Sequence, residues 1–374
     1  MKKEKVAKGL KAAGLLAVFL TSLFWMQGLV EAEKEKTEQK TFSNNSQISG
    51  YNQYGLEGDR KLADTILYED EELVCYPDRF FYHFTCSEEQ IQMISKAAEA
   101  MGRRFSWINQ IYILPVPPRA VLEKDCEEDR ETFQAYMQSM EQELAGKEKV
   151  RLINVLPELE EHREEYVFFR TEGCWTARGA YYGTNAFLNE QGKSGIPLSD
   201  YQEYQYNSFL GADYVKINSQ LSGGLENMPS DTVFYYMLPG ASNRMRVLKQ
   251  DKDGNPVELS EPFLSQTRGG TSTLMDWNLY HGILEGDGGE ETGSLLFIGD
   301  VNGGAMLSFL RPYYNKIYIV NIRRERGLFE NMESLRREYG IRDVLIAQSA
   351  GEMGIRSYSR TINELIDWEG QTGS

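Results

Sequence analysis

Positive charge is scarce in this chain, and its scarcity excludes several functions. The 374 residues carry 40 lysines and arginines against 56 aspartates and glutamates, a formal net charge of -16. Nucleic-acid binding requires basic side chains concentrated against phosphates, so that function is excluded. The same deficit argues against electrostatic docking on an anionic membrane leaflet. An apolar content of 41% is nevertheless ordinary for a domain with a substantial core.

Histidine and cysteine are also few, which limits metal and redox chemistry. The chain has three histidines and four cysteines, and no two cysteines have C-x-x-C spacing. The acidic run at 251–255 is similar to the start of a calcium loop but lacks the closing glutamate. We therefore predict no metal and no cofactor. Cys75 and Cys86 are close enough in sequence for a small disulfide-closed loop, and buried thiols are the alternative.

The N-terminus has the layout of an export signal. Lysines at positions that include 2, 3, 5 and 8 precede an apolar run over residues 12–30, and the basic side of such a run is expected to stay cytoplasmic. The run is close to the ~20 residues that span a bilayer. Residues 1–32 are therefore either a retained signal-anchor or a signal peptide cleaved after Ala32. Residues 33–55, which are polar without apolar periodicity, predict a solvated stalk that carries the main domain outside the cytoplasm.

Apolar runs alternate with helical patterns through most of the main domain, residues 56–374. The run at 294–298 has no polar alternation, as in a strand buried on both faces. Alternating strands and helices predict an α/β fold, a parallel sheet flanked by helices. Residues 201–270 are less regular, and we predict an insertion packed beside the sheet. The other predicted strands are 111–116, 150–155, 316–320 and 344–347, and the predicted helices include 128–144, 176–188 and 328–339.

Two loops are expected at the carboxyl ends of strands, where open α/β sheets place their sites. The first loop, residues 170–176, reads Arg-Thr-Glu-Gly-Cys-Trp-Thr. The second loop, residues 299–304, reads Gly-Asp-Val-Asn-Gly-Gly. Because both follow predicted strands of one parallel sheet, we expect them at the same edge of that sheet.

The first loop carries a resemblance to a known family. Residues 169–182 are similar to the block Tyr-Arg-Thr-Asp-His-His-Trp-Thr-x-x-Gly-Ala-Tyr of the DHHW family, in the SGNH hydrolase and alginate O-acetyltransferase-like superfamily. The resemblance covers roughly residues 62–348 and implies an SGNH-hydrolase-like, flavodoxin-like sheet. Further blocks match in the same order, at 156–159, 207–211, 280–287, 295–301 and 343–346.

The resemblance also implies a Ser-His-Asp acyl-transfer site, whose three positions correspond here to Val301, Cys174 and Glu172. Valine has no nucleophile, and a thiol that titrates near ~8.5 cannot replace the imidazole base. We therefore expect a pseudoenzyme that binds envelope polysaccharide or supports an acetylation complex whose chemistry lies in another subunit. The residues expected to line its ligand cleft are Glu172, Trp175, Asp300, Asn302 and His281.

Two other interpretations remain open at this point. In one, the chain is an active O-acyltransferase or esterase with a rearranged site. Cys174 would then be the nucleophile, with His281 as its base and Glu172 orienting the histidine. Ser308, in the helix after the second loop, is a weaker candidate nucleophile. In the other, the chain is a structural envelope protein without a ligand.

Overall fold

The computed structural model describes residues 65–221, 225, 228–250, 256–264, 281–323 and 327–372. The predicted signal or anchor segment, the stalk and the calcium-like run at 251–255 lie outside these ranges. Within them, no helix has the length and apolar character needed to cross a membrane.

The described elements alternate along the chain as the sequence predicts. The strands are β1 (Tyr68–Glu69), β2 (Leu73–Cys75), β3 (Phe80–Tyr82), β4 (Gln110–Val116), β5 (Val150–Leu152), β6 (Gln202–Phe209), β7 (Asp231–Met237), β8 (Arg244–Gln250), β9 (Pro256–Pro262), β10 (His281–Glu285), β11 (Ser294–Gly299), β12 (Lys316–Asn321) and β13 (Ile341–Ser349). The helices are α1 (Glu88–Arg104), α2 (Glu127–Leu144), α3 (Leu156–Glu161), α4 (Ala177–Glu190), α5 (Ala212–Gln220), α6 (Val301–Gly304), α7 (Leu307–Leu310), α8 (Met332–Tyr339) and α9 (Arg360–Thr372).

The central sheet has the described strand order β5-β4-β13-β11-β12-β10-β8-β9. Its first five strands are mutually parallel, and the last three join by antiparallel pairing. Every residue of β11 is buried. This burial explains why its sequence lacks polar alternation, because a strand covered on both faces has no solvent side. The predicted α/β fold with a parallel-centred sheet is confirmed.

Helices cover both faces of the sheet. On β4, Ile111 lies beneath Gly102 of α1, whereas the neighbouring Tyr112 packs edge-on against Phe187 of α4 with ring centroids 4.9 Å apart. Successive strand residues point to opposite faces, so α1 and α4 lie on opposite sides. Helix α1, which we did not predict, begins at a reciprocal capping box formed by Ser87 and Gln90.

The stretch between residues 201 and 270 is more regular than predicted. Strands β6 and β7 form a separate antiparallel sheet, and β7 packs against α4 and α7, in agreement with a segment beside the central sheet. For β8 and β9 the prediction was wrong, since both are members of the central sheet. In β8, the polar Arg244 and Arg246 alternate with the buried Met245 and Val247, as in a half-buried antiparallel strand.

Of the two alternatives for Cys75 and Cys86, the structure shows thiols and not the disulfide, and all four cysteines are free. Cys75 lies on β2, buried against Phe80 and Ile217. Cys86 follows β3 in the chain and lies near Tyr136 of α2. The two side chains thus belong to different packing environments, and burial raises the pKa of Cys75 to about 11.

Candidate functional site

The two loops meet at the carboxyl edge of the sheet, as predicted. The backbone N–H of Trp175 donates to Oδ1 of Asn302 at 3.2 Å, and its indole Nε1–H donates to the Asn302 carbonyl at 2.7 Å. Both residues are buried. The indole fits because α4 carries Gly183 beneath it, where an added Cβ would lie 2.5 Å from the ring. Trp175 therefore fixes the first loop to the second.

A buried carboxylate that sequence analysis missed holds the start of the first loop. Asp231, at the beginning of β7, is fully buried. Its Oδ2 accepts hydrogen bonds from the N–H of Thr171 at 2.8 Å and from the hydroxyl of Thr171 at 2.6 Å. The N–H of Arg170 and the hydroxyl of Tyr166 also donate to this carboxylate. Several charge-assisted hydrogen bonds converging on one buried group set the conformation of the loop.

The middle of the first loop is tied to helix α5 by two reciprocal hydrogen bonds. The N–H of Ala212 donates to Oε2 of Glu172 at 2.6 Å, and the N–H of Gly173 donates to Oδ2 of Asp213 at 2.9 Å. Gly211 permits this approach, because a Cβ there would lie 2.0 Å from the carbonyl oxygen of Thr171. Burial, followed by the charge of Asp213, raises the pKa of Glu172 to about 7.

The second loop is organised by Asp300, which is buried and precedes α6. Its Oδ1 accepts from the N–H of Gly303 at 3.1 Å, and its Oδ2 accepts from the N–H of Ser349, at the end of β13, at 3.0 Å. Burial raises the pKa of Asp300, and these backbone hydrogen bonds oppose that rise. Val301, the next residue, is buried and begins α6 with an alkyl side chain.

Cys174 is a protonated, buried thiol in this structure. Only 7% of the residue is exposed. Burial raises the pKa of its thiol well above the usual value, and the charges of Glu172 and Asp300 raise it further. The thiolate is the nucleophilic form of cysteine, so this environment suppresses reactivity.

His281 does not join this group. It begins β10, and β12 lies between β10 and β11, so strand spacing separates the backbones of His281 and β11 by about 10 Å. The Tyr318 hydroxyl lies 3.2 Å from Nδ1 of His281. The hypothetical Cys174–His281 dyad is not formed. Ser308 lies on α7 and lines a small cavity with Asp287 and Arg311, without a histidine among the cavity's described residues.

The carboxyl edge is predominantly acidic. Glu172, Asp213, Asp300 and Glu352 all act electrostatically on Cys174. Arg323, which forms an ion pair with Glu352, is the cation that reaches both Glu352 and Asp300. Burial raises the pKa of Glu352, and Arg323 opposes that rise. Among the described residues, no three potential ligands are placed to hold a metal ion. All five residues predicted to line a ligand cleft lie at this edge, but His281 is two strands away from β11 along it.

Comparison with known proteins places this geometry in a family. The model of the family described as DHHW protein matches residues 127–320, more than half of the chain. A DHHW family protein from Eubacterium siraeum has 17% sequence identity and a TM-score of 0.62, over 82% of this chain and 98% of that one. Bacillus cereus PatB1, solved with a sulfonyl adduct, has 15% identity and a TM-score of 0.58, over 79% of this chain and 100% of that one.

At these identities the structural likenesses demonstrate a shared fold and nothing finer. A search of curated protein sequences found no match. The family model covers both loops and the strands that carry them, including Trp175, Asp300 and Val301. The chain therefore belongs to the DHHW family.

Proposed function

We propose that the chain is a non-catalytic, extracytoplasmic DHHW protein with an SGNH-hydrolase-like sheet, which binds cell-envelope polysaccharide or assists its O-acetylation by another protein. The observation that carries this proposal is Val301. It follows Asp300 at the end of β11 and begins α6, where the family resemblance implies the serine nucleophile. An alkyl group cannot attack an acyl carbon, so no acyl-enzyme forms there.

The two other family positions support the same conclusion. Cys174 is a buried thiol whose raised pKa prevents it from exchanging protons near neutral pH. The Glu172 carboxylate accepts a hydrogen bond from the N–H of Ala212. It has no imidazole to orient, because Cys174 occupies the position of the family's histidine. Loss of one triad member alone typically costs about four orders of magnitude in rate. The chain lacks two.

The chemistry of the carboxyl edge fits sugar hydroxyls. Glu172, Asp213 and Glu352 are partly exposed beside the exposed Gly173. Carboxylate oxygens accept hydrogen bonds from hydroxyl donors, which a neutral glycan carries on every ring. The N-terminal export layout and the polar stalk favour a domain that meets such polymers outside the cytoplasm. Membrane attachment would then run through residues 1–32, and we propose no nucleic-acid partner.

Hydrolysis of an activated acetyl ester tests the catalytic part of the proposal. We expect no turnover above background from the wild type or from Cys174→Ala. The triple variant Glu172→Asp, Cys174→His, Val301→Ser restores the family residues on an otherwise unchanged fold. Turnover by this variant alone would locate the loss of activity in those side chains. Turnover by the wild type that Cys174→Ala abolishes would refute the proposal in favour of a cysteine nucleophile.

Protease shaving of intact cells tests the location. We expect the domain after residue 56 to be digested from outside while a control cytoplasmic protein survives. Protection of that domain until the cells are lysed would contradict the extracytoplasmic placement.

A further inference from the structure

A groove lies at the amino edge of the sheet, remote from the two loops. Its volume is about 460 Å³, within the range of roughly 300–1,000 Å³ typical of small-molecule sites. Asn109 precedes β4, and its N–H donates to the carbonyl of Arg342 on β13 at 2.8 Å, which places the groove where these parallel strands begin. The lining residues are Trp107, Asn109, Arg336, Gly340, Ile341 and Arg342.

One wall of the groove is a preorganised arginine on α8. The guanidinium of Arg336 lies 5.3 Å from the ring centroid of Trp107. The indole Nε1–H of Trp107 donates to Glu333 at 2.7 Å, and the same carboxylate lies 3.7 Å from Arg336. Stacking on an aromatic ring reduces the rotamer freedom of a guanidinium while leaving N–H donors for a ligand.

The other wall is Arg342, which is exposed and is positioned by a backbone carbonyl and a glycine instead of an aromatic ring. Its Nη1 donates to the carbonyl of Glu291 at 2.9 Å. Its alkyl stem passes over Gly293, where an added Cβ would lie 2.5 Å from Cδ. Gly293 also has a φ of 71°, which favours glycine at this position. Arg342 forms no ion pair with any residue that the structure describes. The groove is therefore lined by two arginines, of which Arg336 has the Glu333 carboxylate beside it and Arg342 interacts electrostatically with the adjacent Asp343.

This arrangement differs from the ordinary placement of basic residues at helix C-termini. Arg336 and its neighbour Arg337 occupy the last turn of α8, where cations complement the helix dipole. Arg342 is on a strand, and it lines the same groove as Arg336 and Trp107. In a chain with a net charge of -16, such a concentration of positive charge is a local exception.

We propose that this groove binds an anionic saccharide. The carboxylate or phosphate oxyanion would be held by the guanidinium groups of Arg336 and Arg342, which match its planar or forked oxygen geometry. The sugar ring would pack beside Trp107. The site goes beyond the function proposed for the carboxyl edge, and it requires no residue of the two loops.

Isothermal titration of the purified full-length chain in detergent tests the proposal. The probes are tetragalacturonate for carboxylate, glucose 6-phosphate for phosphate and maltotetraose as the neutral control. We expect an anionic probe to bind and maltotetraose not to bind, and the difference between the two anionic probes identifies the oxyanion. Arg336→Gln and Arg342→Gln should each weaken binding roughly tenfold or more, because each removes charge-assisted hydrogen bonds.

Arg337→Gln is the matched control, since Arg337 is exposed on the same helical turn and does not line the groove. Its affinity should equal that of the wild type. The proposal is overturned if neither anionic probe binds at millimolar concentration, or if maltotetraose binds equally well. It is also overturned if Arg336→Gln and Arg342→Gln both retain wild-type affinity, because the anion would then occupy another part of the chain.

Discussion

The two edges of the central sheet use their polar side chains in opposite ways. At the carboxyl edge, the carboxylates of Asp231 and Asp300 accept hydrogen bonds from backbone N–H groups, and the Trp175 indole donates to the second loop. At the amino edge, Arg336 and Arg342 remain exposed around an open groove. Residues of the family motif therefore stabilise the fold at one edge, while the edge without a motif presents groups to solvent.

If the proposed function is correct, this difference teaches that a motif can persist for its structural part alone. Trp175 and Asp300 retain buried hydrogen bonds whose loss would leave backbone groups unpaired. Val301 and Cys174 have no such bonds from their side chains among the described contacts, and these are positions where the family resemblance implies catalytic residues. The comparison predicts large stability effects at the carboxyl edge and small ones at the amino edge.

The largest effect is expected for Asp231→Asn. The substitution removes a buried carboxylate that accepts hydrogen bonds from Thr171, Arg170 and Tyr166. The asparagine NH₂ group would then face other hydrogen-bond donors. We expect a loss of about 3–5 kcal/mol in the free energy of unfolding, measured by urea denaturation. Asp200→Asn, at an exposed position, should stay within about 0.5 kcal/mol. Equal losses in the free energy of unfolding for Asp231→Asn and Asp200→Asn would contradict the role of Asp231.

A matched pair of tryptophan substitutions sharpens the comparison. Trp175→Phe deletes a buried indole N–H and leaves the Asn302 carbonyl without its donor, so we expect a loss of about 1–3 kcal/mol. Trp107→Phe deletes an indole N–H that donates to the exposed Glu333, where water can replace it. We expect less than about 1 kcal/mol for that change by the same urea titration. The comparison fails if Trp107→Phe lowers the free energy of unfolding more than Trp175→Phe does.

Stability should depend on pH through Glu172. Its folded pKa of about 7 lies above the unfolded value of ~4.3, so between these values the folded chain binds more protons than the unfolded chain. The contribution of Glu172 to stability is present below ~4.3 and is lost as pH rises to about 7. Glu172→Gln should remove this decrease of the free energy of unfolding with pH, which urea titrations at pH 5 and pH 8 would detect.

The exposed Glu161→Gln variant is the control for that titration series, and its slope should match the wild type. An unchanged slope in Glu172→Gln would mean that Glu172 titrates alike in both states, and that the contact with Asp213 does not affect the folded carboxyl.

The smallest effect is expected for Arg342→Gln. The side chain is exposed and donates only to the Glu291 carbonyl among the described residues, so the free energy of unfolding should change by less than about 0.5 kcal/mol. The same variant should weaken anionic saccharide binding. A loss of stability comparable to that of Trp175→Phe would show that the amino edge is structural as well.

The elements with strong periodicity were predictable from sequence, and so was the meeting of the two loops. The unbroken apolar run at 294–298 could belong only to a buried strand or helix, and its short length before Gly299 favoured a strand. The carboxyl-edge rule then placed the two loops at the same edge of the sheet. These predictions depend on local pattern and on the regularity of parallel sheets.

The remaining site residues could not be predicted, because their roles depend on contacts distant in sequence. Asp231 is one acidic residue in a less regular stretch, and only folding brings it within hydrogen-bonding distance of Thr171. The Cys75–Cys86 disulfide was inferred from short spacing, but the hairpin directs Cys75 into a different cluster from Cys86. His281 was placed with Cys174 by analogy, and strand order separates them.

The dependence of the first loop on β7 limits how this protein can be recombined. Asp231 lies 60 positions after Thr171 in the chain, beyond the helix that Glu172 contacts. A relative that receives residues 170–176 of this chain, without a carboxylate at the place of Asp231, would inherit the donors without the acceptor that orders them. Exchange of the motif between members of the family should therefore succeed only when β7 is transplanted with it, so the natural unit of exchange extends from residue 166 to the end of β7.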